Sequence, residues 1–492
     1  MKKDVVLFAI PLMEVKWPAP AIYHLKGQIE ADGKTTCAAV DANVLIYDSF
    51  KDDWNDIVYM LHWHTPDPMW DLYHKVITRL KEIFKEYITL HDPKWVAISI
   101  FSLNSRRVGT DIIKFVRENW PEKKILIGGT GLGDALGDTA FEYANKLLAE
   151  NLIDYYITGE GEVAVVELIC KNNPTAVGIN RPNRQIQNLE GLAFANYDEC
   201  VHSLYPFEKY DSGKPTYILT GSRGCVRRCD FCDVYRLWPK FKTRGGEHMA
   251  KEMIYHYERK GVDTFYMSDS LVNGSMKAFR ELVDVLLKYQ DDHNMKFRWG
   301  GQFIARTNSQ MSTEDYMRAS AAGLENVGIG LEHASERMRK LMRKGFDNDA
   351  LHDTIHNLSK SRIFVMFNIL FGHPLETEED FEENIKFLHD YKWASDDGTI
   401  ASLNLQHYIA FLPGTDFADN KDDLVVDDVG TFWKSKHINT LDFPEIYRRR
   451  KRMSDVCKEL NWKTFNEEAY MSYMDRELLY YYNTKDEHEK QK

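Results

Sequence analysis

The chain has 492 residues, 43% of them apolar and 28% charged, with a formal net charge of −12. That length calls for two or three cores rather than one, and the acidic balance excludes a protein that coats nucleic acid along its whole surface. No run of 18 apolar residues occurs, so no segment reads as a membrane-spanning helix.

Met1-Lys2-Lys3 precedes an apolar run from Val5 to Met13, but Glu14 and Lys16 follow without a small-residue cleavage site. The run therefore reads as a buried first strand rather than a secretory leader. Its continuous apolar part, Val5 to Ile10, is what a parallel strand covered on both faces requires. After Pro18 and Pro20, residues Ile22, Leu25 and Ile29 recur at helical spacing, and Gly33 supplies a stop. Further strands are expected at Val44–Tyr47, Trp95–Ile100, Lys124–Ile127 and Tyr155–Thr158, with helices at Trp70–Tyr87 and Gly109–Asn119. This alternation implies an α/β architecture, a doubly wound, Rossmann-like domain over residues 1–185 with its ligand loops at the strand carboxyl ends. From about Lys171 to Tyr210 the periodicity fades and Asn, Pro and Gln accumulate, which places a linker at 186–212.

A second alternating series follows, with strands expected at Thr216–Leu219, Thr264–Met267, Phe297–Trp299, Asn326–Leu331, Phe364–Leu370 and Ser402–Tyr408. Helices are expected between them at Glu247–Lys260, Met276–Tyr289, Thr313–Ala322, Glu336–Arg343 and Glu378–Tyr391. Six strand–helix units imply a partial (β/α)6 TIM-type barrel over 213–420, with its chemistry at the carboxyl ends of the strands. Residues 421–492 form a helical segment with clusters such as Tyr480-Tyr481-Tyr482, and the polar tail from Thr484 to Lys492 reads as disordered.

The seven cysteines do not form a disulfide framework: Cys37, Cys170, Cys200 and Cys457 are scattered, which points to a reducing cytoplasm and one dedicated cluster. That cluster is Cys225, Cys229 and Cys232, spaced C-x3-C-x2-C on a glycine-flanked loop directly after the first barrel strand. Three thiolates so close in sequence can converge on one metal centre, and such soft ligands suit zinc or iron–sulfur chemistry. A closed zinc site needs a fourth ligand, and the nearest candidates, Cys200 and His202, lie across the linker. Arg223, Arg227, Arg228, Arg236, Lys240, Lys242 and Arg244 crowd this loop against Asp230 and Asp233. They either offset the negative charge of a thiolate-ligated cluster or form a solvated face.

On these motifs the chain resembles the radical S-adenosylmethionine (SAM) enzymes. The aromatic Phe231 precedes the last cysteine, and Tyr266-Met267-Ser268-Asp269 ends the second strand with Asn273 four residues on. Phe303-Ile304-Ala305-Arg306 follows the third strand. Val327 to Glu332 resembles the fourth-strand glycine–glutamate motif, with Lys344 beyond it. Asn368 to Thr377 resembles the G-x-P-x-E-T stretch, and Leu412-Pro413-Gly414-Thr415 the P-G-T that follows the sixth strand. The resemblance runs from roughly Tyr217 to Thr415. It implies a 4Fe-4S cluster on Cys225, Cys229 and Cys232, with the amino and carboxylate groups of SAM chelating the open iron. One-electron cleavage of SAM then gives a 5′-deoxyadenosyl radical that takes a substrate hydrogen. Phe231, Ser268, Asp269, Arg306 and Glu332 are, on this resemblance, the residues that hold SAM, and no catalytic residue is assigned beyond the cluster. Read from the residues themselves, the alternatives are that Asp269 caps the following helix and that Arg306 with Glu332 forms a structural ion pair. Gly245-Gly246-Glu247 resembles the family's amino-binding triplet but precedes a helix, and reads as a helix start with Glu in its first turn.

The first domain resembles the cobalamin-binding domain fused to many such enzymes, through Pro18-Ala19-Pro20, Asp41-Ala42-Asn43, Ile127-Gly128-Gly129 and Gly159-Glu160-Gly161-Glu162. Gly128, Gly129, Gly159 and Glu160 are the cobalamin contacts this resemblance implies. Gly128 to Gly133 reads either as a close ligand approach or as a tight turn. It is not a dinucleotide fingerprint, since Asp134 stands where a third glycine belongs. The axial D-x-H-x-x-G motif is absent: His24 has Ile22 two residues before it and sits on a helix face, which implies base-off binding without a protein histidine. His62 and His64, beside Trp63 and Pro66, fall in a loop. The resemblance implies a cytoplasmic enzyme that transfers a methyl group or closes a ring on a small molecule or peptide. Its electron donor would be of flavodoxin or ferredoxin type, and neither membrane nor nucleic acid is expected as a partner. The alternatives are methylthiotransferase-like modification of RNA or protein, and a non-catalytic SAM- or cobalamin-binding regulator. The methylthiotransferases carry three further amino-terminal cysteines, whose even spacing Cys37, Cys170 and Cys200 do not match. The basic run Arg448-Arg449-Arg450-Lys451-Arg452 reads as a solvated helix face.

Overall fold

Strands buried on both faces build the first sheet of the computed structural model. β1 (Val5–Ala9), β2 (Cys37–Asp41), β3 (Trp95–Ser99), β4 (Lys124–Gly128) and β5 (Tyr155–Ile157) are all parallel, in the order β2-β1-β3-β4-β5. The order reverses between β1 and β3, the topological switch point of a doubly wound fold. The structure describes residues 1–63, 70–132, 141–181, 185–207, 213–412, 414–427 and 432–490. His64, Pro66, Gly133, Asp134 and Pro413 lie outside the described residues. Two compact units emerge, 1–219 with 251–266 and 220–250 with 267–492.

In the first unit the strand expected at Val44–Tyr47 is instead part of a helix, Ala42–Ser49, and the strand lies just before it as β2. The Asp41 carboxylate accepts from Val44 N at 3.1 Å and so starts the helix at the end of β2. A short apolar run fits either state, and the cap decides. The described part of 186–212 is irregular yet packed, which is why its periodicity fades without exposure. Ala195 N donates to Glu252 at 2.8 Å, and the Tyr197 ring stacks between Tyr23 and Tyr217 at 4.5 and 4.0 Å. β6 (Thr216–Leu219) lies beside β7 (Thr264–Met267).

The second unit continues with β8 (Arg298–Phe303), β9 (Leu324–Glu332), β10 (Phe364–Phe371) and β11 (Ile400–Tyr408), parallel and adjacent in chain order. All six strands of the second series are therefore present. A helix at Asn348–Ser361, which the apolar pattern did not reveal, shares the β9–β10 connection with Glu336–Leu341. Side-chain caps fix the helix starts: Ser312 with Asp315 and Thr377 with Asp380 form reciprocal capping boxes, and Ser335 and Asp347 accept from the first turns.

The basic run is a solvated face only in part: Arg448 and Lys451 are exposed, but its two middle arginines are not. On helix Phe443–Glu459, Arg449 and Arg450 are 2% and 0% exposed. Arg449 pairs with Glu376 at 3.2 Å and Glu445 at 2.9 Å, while Arg450 pairs with Glu467 at 2.6 Å and donates to Leu405 O at 2.9 Å. Charges enter a core when each meets an opposite charge and the remaining donors find carbonyls, and here the partners come from distant segments. Glu467 opens the last helix, Glu467–Lys490, which runs through Thr484 and replaces most of the expected disordered tail.

Candidate functional site

The cysteine loop leaves β6 at Thr220, and its first turn is pinned by a buried carboxylate. Asp269, 3% exposed, accepts from Gly221 N at 3.1 Å and also from Ser222 N. Arg244 N donates to Gly221 O at 2.8 Å, and the Arg244 guanidinium to Thr220 O at 3.0 Å. A Cβ on Gly221 would lie 1.8 Å from Met249 Sδ, so a side chain there would have to displace that methionine. Beyond this anchor Cys232 N bonds Cys229 O at 3.2 Å, closing a turn between two of the three cysteines. Cys229 is buried, and Cys225 and Cys232 are half-buried. Burial pushes the Cys229 thiol up to about 11 against the pull of Lys344, and raises Cys232 as well. Metal binding must therefore displace protons from this loop.

Residues 342–345 brace the loop from the side. Met342 O accepts from Asp230 N at 3.3 Å, Arg343 pairs with Asp416 at 2.7 Å, and Phe417 N donates to Asp230 O at 2.9 Å. The Lys344 side chain, 13% exposed, reaches Glu332 Oε1 at 3.0 Å and lies 6.0 Å from the Phe231 ring centre. Burial works against its charge, but the Glu332 carboxylate and the nearby Cys229 sulfur overcome it, leaving the ammonium above its ordinary value. Glu332 adopts φ +63, a left-handed conformation uncommon for a residue other than glycine, where the register with β10 shifts between Gly330 and Glu332. A Cβ on Gly330 would lie 2.2 Å from Glu332 Oε1 and 2.8 Å from Lys344 Nζ, so that glycine makes room for the ion pair.

A cavity of about 520 Å³ opens at the carboxyl-terminal halves of β8 to β11, with Phe231, Glu332, Gln302, Asn368, Asn404 and Gln406 among its lining. It brings together two of the expected SAM residues, Phe231 and Glu332. Asp269 serves as the loop anchor instead of lining this wall. It does not cap the following helix, where Ser275 accepts from Ala278 N at 3.3 Å. The Ser268 hydroxyl bonds Thr220 Oγ1 at 2.9 Å. Arg306 donates to Asn273 O at 2.7 Å and Gly274 O at 3.3 Å, and Glu332 pairs with Lys344, so the Arg306–Glu332 ion pair does not form. Gly245-Gly246-Glu247 starts helix Gly246–Lys260, as its sequence implies. In the G-x-P-x-E-T stretch the buried Glu376 accepts from Gly372 N at 3.0 Å and Thr377 caps a helix, a folding role. The amides Gln302, Asn404 and Gln406 escaped the motif reading, and Asn368 entered it only as the first residue of the G-x-P-x-E-T stretch. Their signal was a polar residue at every second position, as in Ser402, Asn404 and Gln406.

In the first unit the glycines answer to the chain's own backbone. Gly129 has φ +109, and a Cβ there would lie 2.4 Å from Ile100 O; one on Gly131 would lie 2.5 Å from Ser102 O. This is the tight-turn reading. Gly128 ends β4, where a Cβ would lie 3.3 Å from Ile157 O, and Gly159 has φ +62. Glu160 is buried and accepts from Ile186 N. Cys37 lies buried in β2, Cys170 ends the helical segment Val166–Cys170, and Cys200 lies in the irregular stretch. Among the described residues no three His, Cys, Asp or Glu side chains gather around a point where one metal ion would sit. A cube-shaped cluster asks for something different, because its thiolates bind separate irons. Three adjacent thiols on a braced loop, with an ammonium beside them, are a donor set that fits it.

Residues 219–388 match the model of the radical SAM superfamily, so the chain carries a radical SAM domain. Among curated proteins it is 22% identical over 319 residues to the anaerobic magnesium-protoporphyrin IX monomethyl ester cyclase of Synechocystis sp., covering 62% of this chain and 61% of that one. It is 26% identical over 256 residues to an uncharacterized methyltransferase of Pyrococcus horikoshii (48% and 52% covered). To a ribosomal protein uS12 methylthiotransferase of Hydrogenobaculum sp. it is 27% identical over 200 residues (37% and 47%). The chain thus spans less than two thirds of the length of each. Two solved structures share its fold. The radical SAM methyltransferase TsrM of Kitasatospora setae, with cobalamin and a [4Fe-4S] cluster bound, has a TM-score of 0.56 at 17% identity, covering 82% of this chain and 74% of that one. The cobalamin-dependent radical enzyme OxsB has a TM-score of 0.56 at 15% identity, covering 85% and 55%. Both likenesses reach well beyond the superfamily match, and so include the α/β region before it.

Asp269 offers a direct check on the loop anchor. Burial raises its carboxyl from 3.8 to about 6, outweighing the hydrogen bonds from Ser222 and Gly221 and the charge of Arg244. A raised folded pKa means the folded state binds more protons, so this group's contribution to stability falls as pH climbs from about 4 to about 6. The Asp269→Asn variant lacks that loss. Its unfolding free energy relative to wild type should therefore rise across this window in urea titrations, and a flat difference would contradict the buried-carboxylate assignment.

Proposed function

We propose that this chain is a radical SAM enzyme that holds a 4Fe-4S cluster on Cys225, Cys229 and Cys232 and SAM against the Phe231 and Glu332 side of the cavity. The supporting observation is that residues of two distant motifs, Phe231 and Glu332, share one cavity wall beside the thiol loop, with Lys344 between them. When bound, the cluster supplies the electron that cleaves SAM and so the carbon radical that takes a hydrogen from substrate. The residues do the rest. Deprotonated, the three thiols are the iron ligands, and the Lys344 ammonium offsets part of their charge. The Glu332 carboxylate accepts hydrogen bonds from the amine or ribose hydroxyls of SAM, and the Phe231 ring gives them an apolar boundary. Asp269 keeps the loop's first turn in place, and Arg306 holds the turn at Val272–Gly274. Ser268, on the strand-end loop, adds a hydroxyl.

The fold shared with TsrM and OxsB supports a cobalamin at the carboxyl ends of β1 to β5, and the missing D-x-H-x-x-G motif supports base-off binding without a protein histidine. Packing accounts for Gly129 and Glu160, so the fold carries this part of the reading. The net reaction is then methyl transfer or ring closure on a small molecule or peptide, with reduction by a flavodoxin or ferredoxin. All seven cysteines are free, which suits a reducing cytoplasm, and no described helix is long and apolar enough to cross a membrane. The methylthiotransferase reading draws on the shared barrel, but the spacing of Cys37, Cys170 and Cys200 does not match the three further amino-terminal cysteines of that class.

Anaerobically reconstituted, reduced protein should release 5′-deoxyadenosine and methionine from SAM, and replacing the three loop cysteines by Ala should remove both iron and activity. Glu332→Gln should weaken SAM binding about tenfold in equilibrium dialysis while iron content stays constant. Unchanged affinity would leave Glu332 as a partner of Lys344 only.

Mixed with hydroxocobalamin and passed through gel filtration, the whole chain should retain the corrinoid with a base-off spectrum. Failure to retain it, with SAM cleavage intact, would reduce the first sheet to a scaffold.

A further inference from the structure

The registers of β9 to β11 set Gly330, Asn368 and Asn404 at one level. Strand alternation turns Asn404 and Gln406 to the same side of β11, and beyond the register shift between Leu405 and Tyr408, Tyr408 joins them in lining the cavity. Asn404 is 8% exposed. Its Nδ2 donates to Asn368 Oδ1 at 2.9 Å, but its own Oδ1 has no hydrogen-bond partner among the described residues. Sealed amide carbonyls without a donor are rare, and each asks for an occupant. Among the described lining residues the only charged one, Glu332, is already matched by Lys344 at 3.0 Å. The wall at Asn404 is therefore neutral and calls for an N–H or O–H rather than an ion.

Farther along the same strand, Tyr408 also belongs to an adjoining cavity of about 430 Å³. There Phe411 and Trp433 stand edge to face, with ring centres 5.9 Å apart, and Lys421 and Asp427 neutralise each other at 2.7 Å. β11 thus leads from an amide floor to an aromatic chamber, with no unmatched charge among the described residues of either lining. Both volumes fall in the range of about 300–1,000 Å³ usual for small-molecule sites.

We propose that the two cavities together bind the substrate, a flat, aromatic-bodied molecule bearing an uncharged amide-type group such as a carboxamide, a lactam or an N–H heterocycle. The group's N–H donates to Asn404 Oδ1, and the body lies along Tyr408 toward Trp433. This rests on the reading above that SAM occupies the Phe231 and Glu332 side. The adenine of SAM also carries N–H groups, and the test separates the two sources.

Ligand-observed saturation-transfer NMR on the full, cluster-loaded chain uses three probes with one ring. Benzamide has the N–H, acetophenone lacks it, and benzoate is charged. Benzamide should bind with SAM present at saturation, and Asn404→Leu should weaken it roughly fivefold or more. Asn404→Asp, which keeps an acceptor oxygen, should retain most of the signal, and Trp433→Ala should lose part of it. Acetophenone and benzoate should bind wild type more weakly than benzamide does, a comparison that needs no variant to fold. Equal binding of all three probes, or indifference of benzamide to Asn404, overturns the proposal. Displacement of benzamide by SAM overturns it too, giving the amide floor to adenine. SAM cleavage, measured on the same samples, reports separately on the radical SAM reading.

Discussion

An ammonium held away from water must meet an opposite charge, and much of this site follows from meeting that demand at Lys344. Its partner, Glu332, reaches it by taking a left-handed backbone conformation at a register shift near the end of β9. The carboxylate then folds back over a position where only Gly330 leaves space. The chain on either side of the lysine is committed as well. Met342 O receives the Asp230 N–H, and Gly345, at φ +69, leaves room for the Arg227 guanidinium, since a Cβ there would lie 2.5 Å from it. The cysteine loop is thus positioned against the same short segment that carries the charge. A thiolate-ligated cluster is negative, and a preplaced cation beside it is the electrostatic complement such a group needs.

Local chemistry was the most legible part of the chain. The cysteine spacing, the helix start at Gly246–Glu247 and the six barrel strands all follow from short-range pattern. What escaped was whatever depended on partners far along the chain. Arg449 and Arg450 look like a solvated run because their carboxylates lie at Glu376 and Glu467, and only folding brings these together. Arg306 and Glu332 looked like a pair because they carry opposite charges in neighbouring motifs. In the structure the arginine finds carbonyls and the glutamate finds Lys344. The strand expected at Val44 was a shorter-range error, since the side chain of Asp41 turns the same apolar run into a helix.

The glycines show why one motif can support two readings. Gly128 to Gly133 resembles a ligand-binding loop because close backbone approach requires glycine. Yet the backbone that approaches Gly129 and Gly131 is the protein's own, at Ile100 and Ser102. In the barrel, Gly330 clears space for the Glu332–Lys344 ion pair instead. Conformational freedom marks where chains come close; which groups come close depends on the fold around them. The cavity amides make a similar point, since their significance lies in strand register and in one sealed carbonyl.

The central claim is that this loop holds a cluster with one iron left open for SAM, beside the Lys344–Glu332 pair. Electron paramagnetic resonance of the reduced, reconstituted protein before and after SAM is added tests it most directly. A 4Fe-4S signal whose g values shift on adding SAM is the expected result, because the amino and carboxylate groups of SAM would become ligands of the open iron. A cluster signal that SAM leaves unchanged would contradict it.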